Sequence, residues 1–420
     1  MNSKFETLPV RTKFFTRGTT VVAAIAGLGI AAYLYRVFFG LEAATNLSNA
    51  YPWGIWKTIN VVAGVALAAA GFTTAAVADV FHRERYHVLV RPAILTALLG
   101  YTFAVIGLIA DLGRYYNIWH PIIPSMWQGD SVLFEVGMCV MMYLCVLYIE
   151  FLPTVVERYR NRVDLPGVLA HFNSLVESLL EVCQRYLVRF ISLFIIAGVV
   201  LSCLHQSSLG ALMLVAPTKM HPIWNSPISP ILFLLSAIAV GFPILIFEII
   251  LVSRIFHRAP DVSLLSHLAR YIPVLLGIYF AVRIGDLTLR EVWPYVLDGS
   301  FPAAAFIVEI GVGVILPLLL LARKRVRYSV RGLLISVILV IVGVVLNRTN
   351  VFLIAYEPLY ASSRYVPSLI ETAVTVGLIS TLILIYRFFV VKLPVLPRPP
   401  EPEAVSPGQA ESLVTPMKGE

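Results

Sequence analysis

Long apolar runs recur along this chain, and each is long enough to cross a lipid bilayer as an α-helix. Hydrophobic residues make up 59% of the 420 residues and charged residues only 13%, which lies outside the range of soluble globular domains. About 20 apolar residues span the hydrocarbon core as helix. The sequence therefore predicts an all-α, polytopic membrane bundle of about ten helices, over 18–39, 54–81, 92–113, 131–153, 188–212, 228–253, 271–293, 301–321, 329–347 and 368–391.

Positively charged residues indicate how the predicted bundle is oriented. With the N-terminus on the inner side, 24 of the 32 lysines and arginines fall in the two tails and the inner loops. Because cytoplasmic loops collect lysine and arginine, both termini are predicted to be cytoplasmic. The net charge of +8 therefore reflects membrane topology and not nucleic-acid binding. The first run is longer than the roughly 7–15 apolar residues of a signal peptide, so it is interpreted as a retained helix.

The chain divides into three predicted regions. Residues 1–17 form a cytoplasmic tail, 18–392 the transmembrane domain and 393–420 a proline-rich cytoplasmic tail of disordered composition. An amphipathic stretch, 168–186, is predicted to lie along the inner membrane interface. No repeat of fixed period is apparent, although the first eight spans could form two four-helix bundles. The four cysteines lie in or beside apolar spans without a CxxC pair, so neither a disulfide framework nor an iron–sulfur site is expected.

Ionisable residues near the outer ends of three predicted helices mark a candidate site. A helix rises 1.5 Å per residue, which places Asp111 about 28 Å and His205 about 24 Å from the inner ends of their spans. Glu135 is expected about 8 Å below the outer start of the fourth span. Arg114, three residues after Asp111, is expected on the same helical face. These side chains are thus predicted to share one depth just under the outer surface.

This group of side chains suits a quinone site. Such a site needs hydrogen-bond donors for the carbonyls, a group that carries protons and an apolar groove for the tail. In the alternative interpretation, Asp111 and Arg114 form an interface ion pair and His205 caps a helix end. A secondary transporter would also hold charges in the membrane, but usually at the midplane beside broken helices.

The histidines argue against a b-type haem, which usually needs axial histidines on facing helices. Of the eight histidines, only His205 falls clearly within a span. The chain also lacks a P-loop, a GxGxxG motif after a strand and an HExxH motif. Neither haem nor another metal site is therefore expected.

Four carboxylates at other depths are candidates for a proton pathway, which requires titratable groups within the membrane. They are Asp79, Glu150, Glu248 and Glu309, the last of them near the middle of its span. The first three could equally be inner-interface residues that pair with nearby arginines. Both interpretations stay open.

Several motifs in combination resemble one known family. They are similar to those of the NrfD/polysulfide-reductase membrane-subunit family, and within it to the HybB-type subunits of nickel–iron uptake hydrogenases, over about residues 15–390. The motifs are Tyr51-Pro-Trp-Gly-Ile-Trp56, His87-Val-Leu-Val-Arg-Pro92, Asp111-Leu-Gly-Arg-Tyr-Tyr-Asn117, Ser131-Val-Leu-Phe-Glu135, Glu150-Phe-Leu-Pro153, His205-Gln-Ser-Ser-Leu-Gly210 and His221-Pro-Ile-Trp224.

This resemblance implies a subunit of the bacterial cytoplasmic (inner) membrane that binds no redox cofactor of its own. It implies a periplasmic ferredoxin-like iron–sulfur partner, a catalytic hydrogenase subunit and electron exchange with menaquinone or ubiquinone near the outer face, and some members are thought to move protons. The equivalent subunit of a sulfur-compound or multihaem cytochrome complex is the alternative, since the motifs mark only the membrane module. The outer loops 115–130 and 206–227 are expected to dock the partner. The candidate quinone-binding residues are Asp111, Arg114, Tyr115, Glu135, His205 and Gln206.

Overall fold

The structure, a computed structural model, describes residues 7, 9–10, 12–164, 166–361 and 363–397. Within these residues, ten helices are long and apolar enough to span a membrane, as the sequence predicted, and the only β pairing consists of two isolated bridges. The helices are α1 (Arg17–Ala44), α2 (Trp56–Val80), α3 (Glu84–Asp111), α4 (Val132–Tyr159), α5 (Asn173–Ala211), α6 (Ser229–Ile255), α7 (Val262–Leu289), α8 (Phe301–Ala322), α9 (Val330–Ile354) and α10 (Leu369–Lys392).

Polar side chains set where several of these helices begin. The Ser131 hydroxyl accepts a hydrogen bond from the Phe134 N–H at the start of α4. At the start of α10, Ser368 and Glu371 form a capping box, in which each side chain accepts from the other residue's backbone N–H. Such caps satisfy N–H groups that have no partner inside the helix. The helix ends are therefore well defined, and the loops between them hold the outer surface together.

The amphipathic stretch before the fifth span is part of that span. The prediction that 168–186 lies as a separate element along the interface is wrong, because one continuous helix runs from Asn173 to Ala211. Its 39 residues correspond to about 58 Å at 1.5 Å per residue. Since the hydrocarbon core is only about 30 Å thick, α5 extends beyond the bilayer at its inner end.

The helices form two four-helix bundles, and α1 pairs with α10 beside them. Helices α2 to α5 pack into one bundle and α6 to α9 into the other, joined chiefly through α2, α5 and α6. The predicted division therefore exists, but it covers spans two to nine and not the first eight. The reason is that α1 packs mainly against α10, at the far end of the chain.

Short motifs recur in the two bundles. Leu98-Leu-Gly100 and Phe103-Ala-Val105 in α3 match Leu275-Leu-Gly277 and Phe280-Ala-Val282 in α7. The segments Phe81-His-Arg83 and Phe256-His-Arg258 end α2 and α6, and both central histidines have φ of 51°. Glu135-Val-Gly137 in α4 matches Glu309-Ile-Gly311 in α8. These pairs are 174 to 177 residues apart, so their spacing is not a fixed period.

Both described ends of the chain lie at the same end of the bundle. Thr7 forms a β-bridge with Pro397, and the Arg387 guanidinium donates to the carbonyls of Lys13 and Phe14. Leu393, Val395 and Leu396 are buried, so the first residues of the predicted tail pack against the helices. The rest of that tail, 398–420, and most of the predicted N-terminal tail before residue 9 lie outside the described residues.

Two glycines let α1 approach α10 closely. A Cβ placed on Gly29 would lie 2.3 Å from the Cα of Gly377, closer than any real contact. Gly27 lies two residues earlier on α1, and a Cβ placed there would have no neighbouring atom within 4 Å. Small residues allow membrane helices to pack backbone against backbone. The α1–α10 pair therefore depends on Gly29 and tolerates change at Gly27.

We predict that Gly29→Ala separates α1 from α10 and destabilises the protein by about 1–3 kcal/mol, the usual cost of overpacking. Gly27→Ala is the matched control and is expected to leave stability unchanged or slightly raised, since alanine favours helix. The measurement is the thermal unfolding of both purified variants in detergent. Equal melting temperatures for the two variants would contradict the packing described.

Candidate functional site

Asp111, the last residue of α3, is paired across the helix interface with Lys57. One carboxylate oxygen, Oδ2, lies 3.1 Å from Lys57 Nζ, and the Asp111 side chain is only 3% exposed. Lys57 stands in the first turn of α2, with its ammonium 5.4 Å from the centre of the Trp53 ring. A buried carboxylate requires a partner of this kind. The sequence singled out Asp111 but did not identify its cation.

Arg114 does not pair with Asp111, contrary to the expected placement on one helical face. The helix ends at Asp111, and Leu112 has an extended backbone with φ of −73° and ψ of 123°. The chain therefore leaves the helical path before Arg114, which is exposed and has no ion pair within the described part of the chain. Arg114 is thus not part of the buried site.

Arg36 of α1 holds the end of α3 in place, although the sequence interpretation overlooked it. It is 1% exposed, and its Nε and Nη2 donate to the carbonyls of Ala110 and Leu112 at 2.6 and 2.5 Å. A cation at a helix C-terminus satisfies carbonyls that lack a partner in the helix. Its guanidinium also lies 5.1 Å from the centre of the Tyr115 ring. The signal was available, because an arginine within an apolar span is costly unless it has partners.

Asn60 is a second residue that the sequence analysis missed. It lies one turn after Lys57 on α2 and packs against Gly107, one turn before Asp111 on α3, where a Cβ would come within 2.7 Å of the Asn60 Cβ. Among the described residues, both amide atoms of Asn60 and Oδ1 of Asp111 are buried without a hydrogen-bond partner. Buried polar atoms are nearly always paired. We call Lys57, Asn60 and Asp111 the outer polar site.

Apolar and aromatic residues border the outer polar site. Trp56 is 1% exposed, and its indole N–H donates to the Glu371 carbonyl at 2.9 Å. Trp56 belongs to an apolar cluster beside the site that draws on α1, α2, α3 and α10. An apolar wall next to polar groups is the usual form of a small-molecule site. The buried members of the cluster are Ala44, Trp56, Phe103, Ala110, Val374 and Leu378.

Glu371 serves the outer loops and is not free for chemistry. Its carboxylate accepts hydrogen bonds from the N–H groups of Asn46 and Ser368, at 3.1 and 2.8 Å, and from the Tyr365 hydroxyl at 2.5 Å. Burial and the bond to Glu371 raise the pKa of Tyr365. Tyr365 also lines a cavity of about 540 Å³ that lies between the loops on the outer side. Glu371 therefore fastens the loops that cover the outer polar site.

His205 lies far from Asp111, so the prediction of a common depth is wrong for it. Its Nδ1 is 3.1 Å from the Tyr101 hydroxyl, and Tyr101 is ten residues before Asp111 on α3, or about 15 Å of helix rise. The estimate failed because α5 continues to Ala211 and a 3₁₀ turn extends to Val215. His205 therefore lies near the middle of the bundle.

Two other predicted site residues also lie apart from Asp111. The Gln206 amide, next to His205, donates to the Val65 carbonyl at 3.0 Å. Glu135, in the first turn of α4, accepts a hydrogen bond from the Ser208 hydroxyl and is exposed on the bundle surface. Of the six predicted residues, only Asp111 belongs to the outer polar site, and Tyr115 borders it through Arg36.

The four candidates for a proton pathway occupy three separate places. Asp79 and Glu150 interact electrostatically near the inner ends of α2 and α4, and Asp79 is 3.4 Å from His87. Glu248 accepts hydrogen bonds from Thr96 at 2.5 Å and from Tyr386. Within the described chain, neither Asp79 nor Glu150 nor Glu248 has an arginine partner. The alternative that arginines pair with them is therefore wrong.

Glu309 is enclosed in the second bundle. Its carboxylate accepts from the side-chain amides of Asn347 and Asn350, at 2.8 and 2.7 Å, and from the Trp224 indole at 3.3 Å. It is 1% exposed. Three donors occupy both oxygens of this carboxylate. Glu309 is thus part of a structural network and lies apart from Asp79 and Glu150.

Asp286 of α7 offers an internal comparison with Asp111. The segment Ile109-Ala-Asp111-Leu112 ends α3, and the similar segment Ile284-Gly-Asp286-Leu287 lies in the last turn of α7. Asp286 Oδ2 lies 2.6 Å from Arg290 and 3.3 Å from Arg283, and its Oδ1 accepts from Ser226 at 2.6 Å. Both of its oxygens are therefore occupied, whereas Asp111 has one free oxygen. The first bundle is the one with an open polar site.

The described residues do not fit a haem or another metal. No group of three or more His, Cys, Asp or Glu is placed to hold a metal ion among them. All eight histidines are described, and His205 is the one that is fully buried in a span. A bis-histidine haem needs two such residues on facing helices.

Comparison with known proteins identifies a matching family and several relatives of this chain. The profile of the family described as "Polysulphide reductase, NrfD" matches residues 43–361. A protein of Nitratidesulfovibrio vulgaris is 35% identical over 92% of this chain and 96% of its own length. The probable Ni/Fe-hydrogenase 2 b-type cytochrome subunit of Escherichia coli is 32% identical over 93% of this chain and 95% of its own. The menaquinone reductase integral membrane subunit of N. vulgaris is 28% identical over 42% of this chain and 39% of its own.

Proposed function

This chain belongs to the NrfD polysulphide reductase family, and from that premise we propose that it is the quinone-reactive subunit of a respiratory oxidoreductase complex. It is a multi-pass membrane protein and a membrane subunit of an oxidoreductase. In the proposal, it resides in the bacterial cytoplasmic membrane and passes electrons between a periplasmic iron–sulfur subunit and menaquinone or ubiquinone. The secondary-transporter alternative loses its support, because the family is one of oxidoreductase subunits.

The unpaired buried atoms of Asn60 and Asp111 carry this proposal. A quinone carbonyl accepts hydrogen bonds. The Asn60 amide and the Lys57 ammonium are donors, and both lie at the end of the bundle where the quinone is expected to bind. Reduction of a quinone to a quinol takes up two electrons and two protons, and Asp111 is a carboxylate that can transfer a proton at a carbonyl oxygen. The apolar cluster around Trp56 and Phe103 suits the ring and the tail.

The relatives favour a hydrogenase as the catalytic partner. The E. coli relative is named after Ni/Fe-hydrogenase 2 and aligns over nearly its whole length. The N. vulgaris relative named as a menaquinone reductase subunit supports a quinone as the substrate. A sulfur-compound or multihaem cytochrome complex remains the second candidate, and the catalytic subunit that copurifies with this chain distinguishes the two.

We predict that Asp111→Asn lowers quinone-linked turnover by roughly 10²–10⁴-fold, the usual contribution of a general acid or base. Asn60→Leu, which keeps the Lys57–Asp111 pair, is expected to lower it by about tenfold through the loss of one hydrogen bond. Both complexes should stay assembled and keep their activity with an artificial dye. Glu42→Gln, at an exposed carboxyl on the same side, is the control. Wild-type quinone turnover in both variants would refute the site.

We further propose that the chain binds no haem, in spite of the cytochrome label of its E. coli relative. The support is the histidine geometry, since a single buried histidine at Tyr101 cannot supply two axial ligands. The absorption spectrum of the purified chain is expected to show no dithionite-reducible Soret and α bands. A spectrum with about one haem per chain would overturn this proposal.

The docking surface for the iron–sulfur partner is proposed to be the outer loop 115–130. It follows Asp111 directly and exposes large apolar side chains, with Tyr116, Ile122 and Trp127 between 51% and 65% exposed. Exposed apolar patches outside the bilayer mark interaction sites. The other expected loop, 206–227, is less suitable, since Met220, Ile223 and Trp224 are buried in the fold.

We predict that Ile122→Glu releases the iron–sulfur partner from the membrane, because a charge in the apolar core of an interface is costly. Val215→Glu introduces the same charge at a 59% exposed position of the other loop and is expected to retain the partner. The measurement is the amount of partner that copurifies with each variant. Crosslinks confined to the 323–331 loop would place the partner on the wrong side of the membrane.

Proton movement is a second proposed function, supported by a line of polar side chains in the first bundle. Glu150 interacts electrostatically with Asp79 and with Tyr143. The ring centres of Tyr143 and Tyr101 are 4.6 Å apart, and Tyr101 contacts His205. Unpaired buried atoms lie along this line, on Asp79, Glu150, Ser202, His205 and Gln206. Such groups can carry protons from the inner side toward the outer polar site.

We predict that Glu150→Gln abolishes proton uptake from the inner side in proteoliposomes, because an amide cannot carry a proton at this step. Quinone turnover in detergent should persist. Glu84→Gln, at an exposed inner carboxyl, is the control. The readout is the internal pH change during turnover, and an unchanged pH signal in Glu150→Gln would exclude this route.

A further inference from the structure

A groove of about 520 Å³ lies between α4 and α5 at the basic, inner end of the first bundle. Its wall is apolar and consists of Pro153, Val156, Leu187 and Ile191. Pro153 lies inside α4, and a proline inside a helix removes a hydrogen bond and bends the helix. The groove takes no part in the outer polar site or in the proposed proton line.

The mouth of the groove has a guanidinium with free donors. Arg160, which ends α4, donates from Nη1 to the Gln184 side-chain oxygen at 2.5 Å. A guanidinium has five N–H donors, and this is its one side-chain hydrogen bond within the described residues. Glu157 also lines the groove, but its carboxylate is bound by Arg91, which compensates its charge. The mouth is therefore positively charged.

The surroundings of the mouth extend this positive charge. Arg158 donates from Nε to the Lys392 carbonyl at 3.1 Å, and Arg162 follows two residues after Arg160. On α5, the exposed Arg185 directly follows the groove residue Gln184. A cluster of basic side chains beside a cleft between membrane helices attracts anionic head groups.

We propose that this groove binds an anionic phospholipid of the membrane, with an acyl chain along the apolar wall and the phosphate at Arg160. The planar guanidinium matches two phosphate oxygens at once. The choline of a zwitterionic lipid adds a positive charge that the basic mouth repels, so a lipid with net negative charge is favoured. A phospholipid fits both halves of the site, whereas a free phosphate fits the mouth alone. The lipid would fill the space between α4 and α5 and would hold the two helices at the separation seen in the structure.

The test is lipid binding by the intact purified complex in detergent, measured by native mass spectrometry. Phosphatidylglycerol, phosphatidylcholine and inorganic phosphate are titrated separately. Wild-type protein is expected to retain phosphatidylglycerol over phosphatidylcholine. Arg160→Gln should weaken retention of phosphatidylglycerol by roughly tenfold, the effect of losing one charge-assisted hydrogen bond. Arg325→Gln, at an exposed arginine of the second bundle that does not line the groove, should leave retention unchanged.

A second variant tests the apolar half of the site independently of charge. Val156→Phe narrows the groove and leaves Arg160 in place, so it too should reduce phosphatidylglycerol retention. Equal retention of the two lipids by wild-type protein would overturn the proposal. Competition of inorganic phosphate with phosphatidylglycerol at similar concentrations would show that the site recognises a free anion and would equally overturn it.

Discussion

The high cost of an unpaired charge in a low-dielectric interior governs this structure. An ionisable side chain in a membrane must find a partner, a donor or a ligand. Arg36 donates hydrogen bonds to the carbonyls at the end of α3. Glu371 accepts hydrogen bonds from N–H groups and a hydroxyl of the outer loops. Asp111 meets the requirement only in part, because Lys57 pairs with one of its oxygens and the other is free. The incomplete satisfaction of Asp111 is the observation on which the proposed quinone site rests.

The two bundles hold carboxylates in different surroundings. Asp111 ends α3 and Asp286 lies in the last turn of α7, whereas Glu135 lies in the first turn of α4 and Glu309 near the middle of α8. In the second bundle, these carboxylates are saturated by arginines, asparagines, a serine and a tryptophan. Such a network rigidifies a bundle and leaves no acceptor for a substrate. Under the proposed function, the second bundle would serve as a scaffold and the first would hold the reactive polar atoms.

The outlying pair α1 and α10 connects packing with the site. Close contact at Gly29 and Gly377 brings Arg36 and Tyr33 of α1 against the end of α3, where they bond the carbonyls of Ala110 and Ile106. Helix α10 contributes Glu371, whose backbone carbonyl accepts from Trp56. A change in this helix pair would thus move the walls of the outer polar site without touching its polar residues.

Hydropathy and length determined the ten spans, since a helix that crosses a bilayer must be continuously apolar whatever its neighbours are. The sequence also marked Asp111, because a carboxylate at that depth is costly. The sequence did not identify the residues that contact Asp111. Lys57 and Asn60 approach α3 across a helix interface, and no spacing within one helix encodes such a contact. Depth counted from helix rise failed for His205 and Arg114, because helix ends decide depth and direction, and caps and tertiary contacts decide helix ends. The tertiary structure alone determined which carboxylates kept an oxygen without a partner, namely Asp79, Asp111 and Glu150 among the described residues.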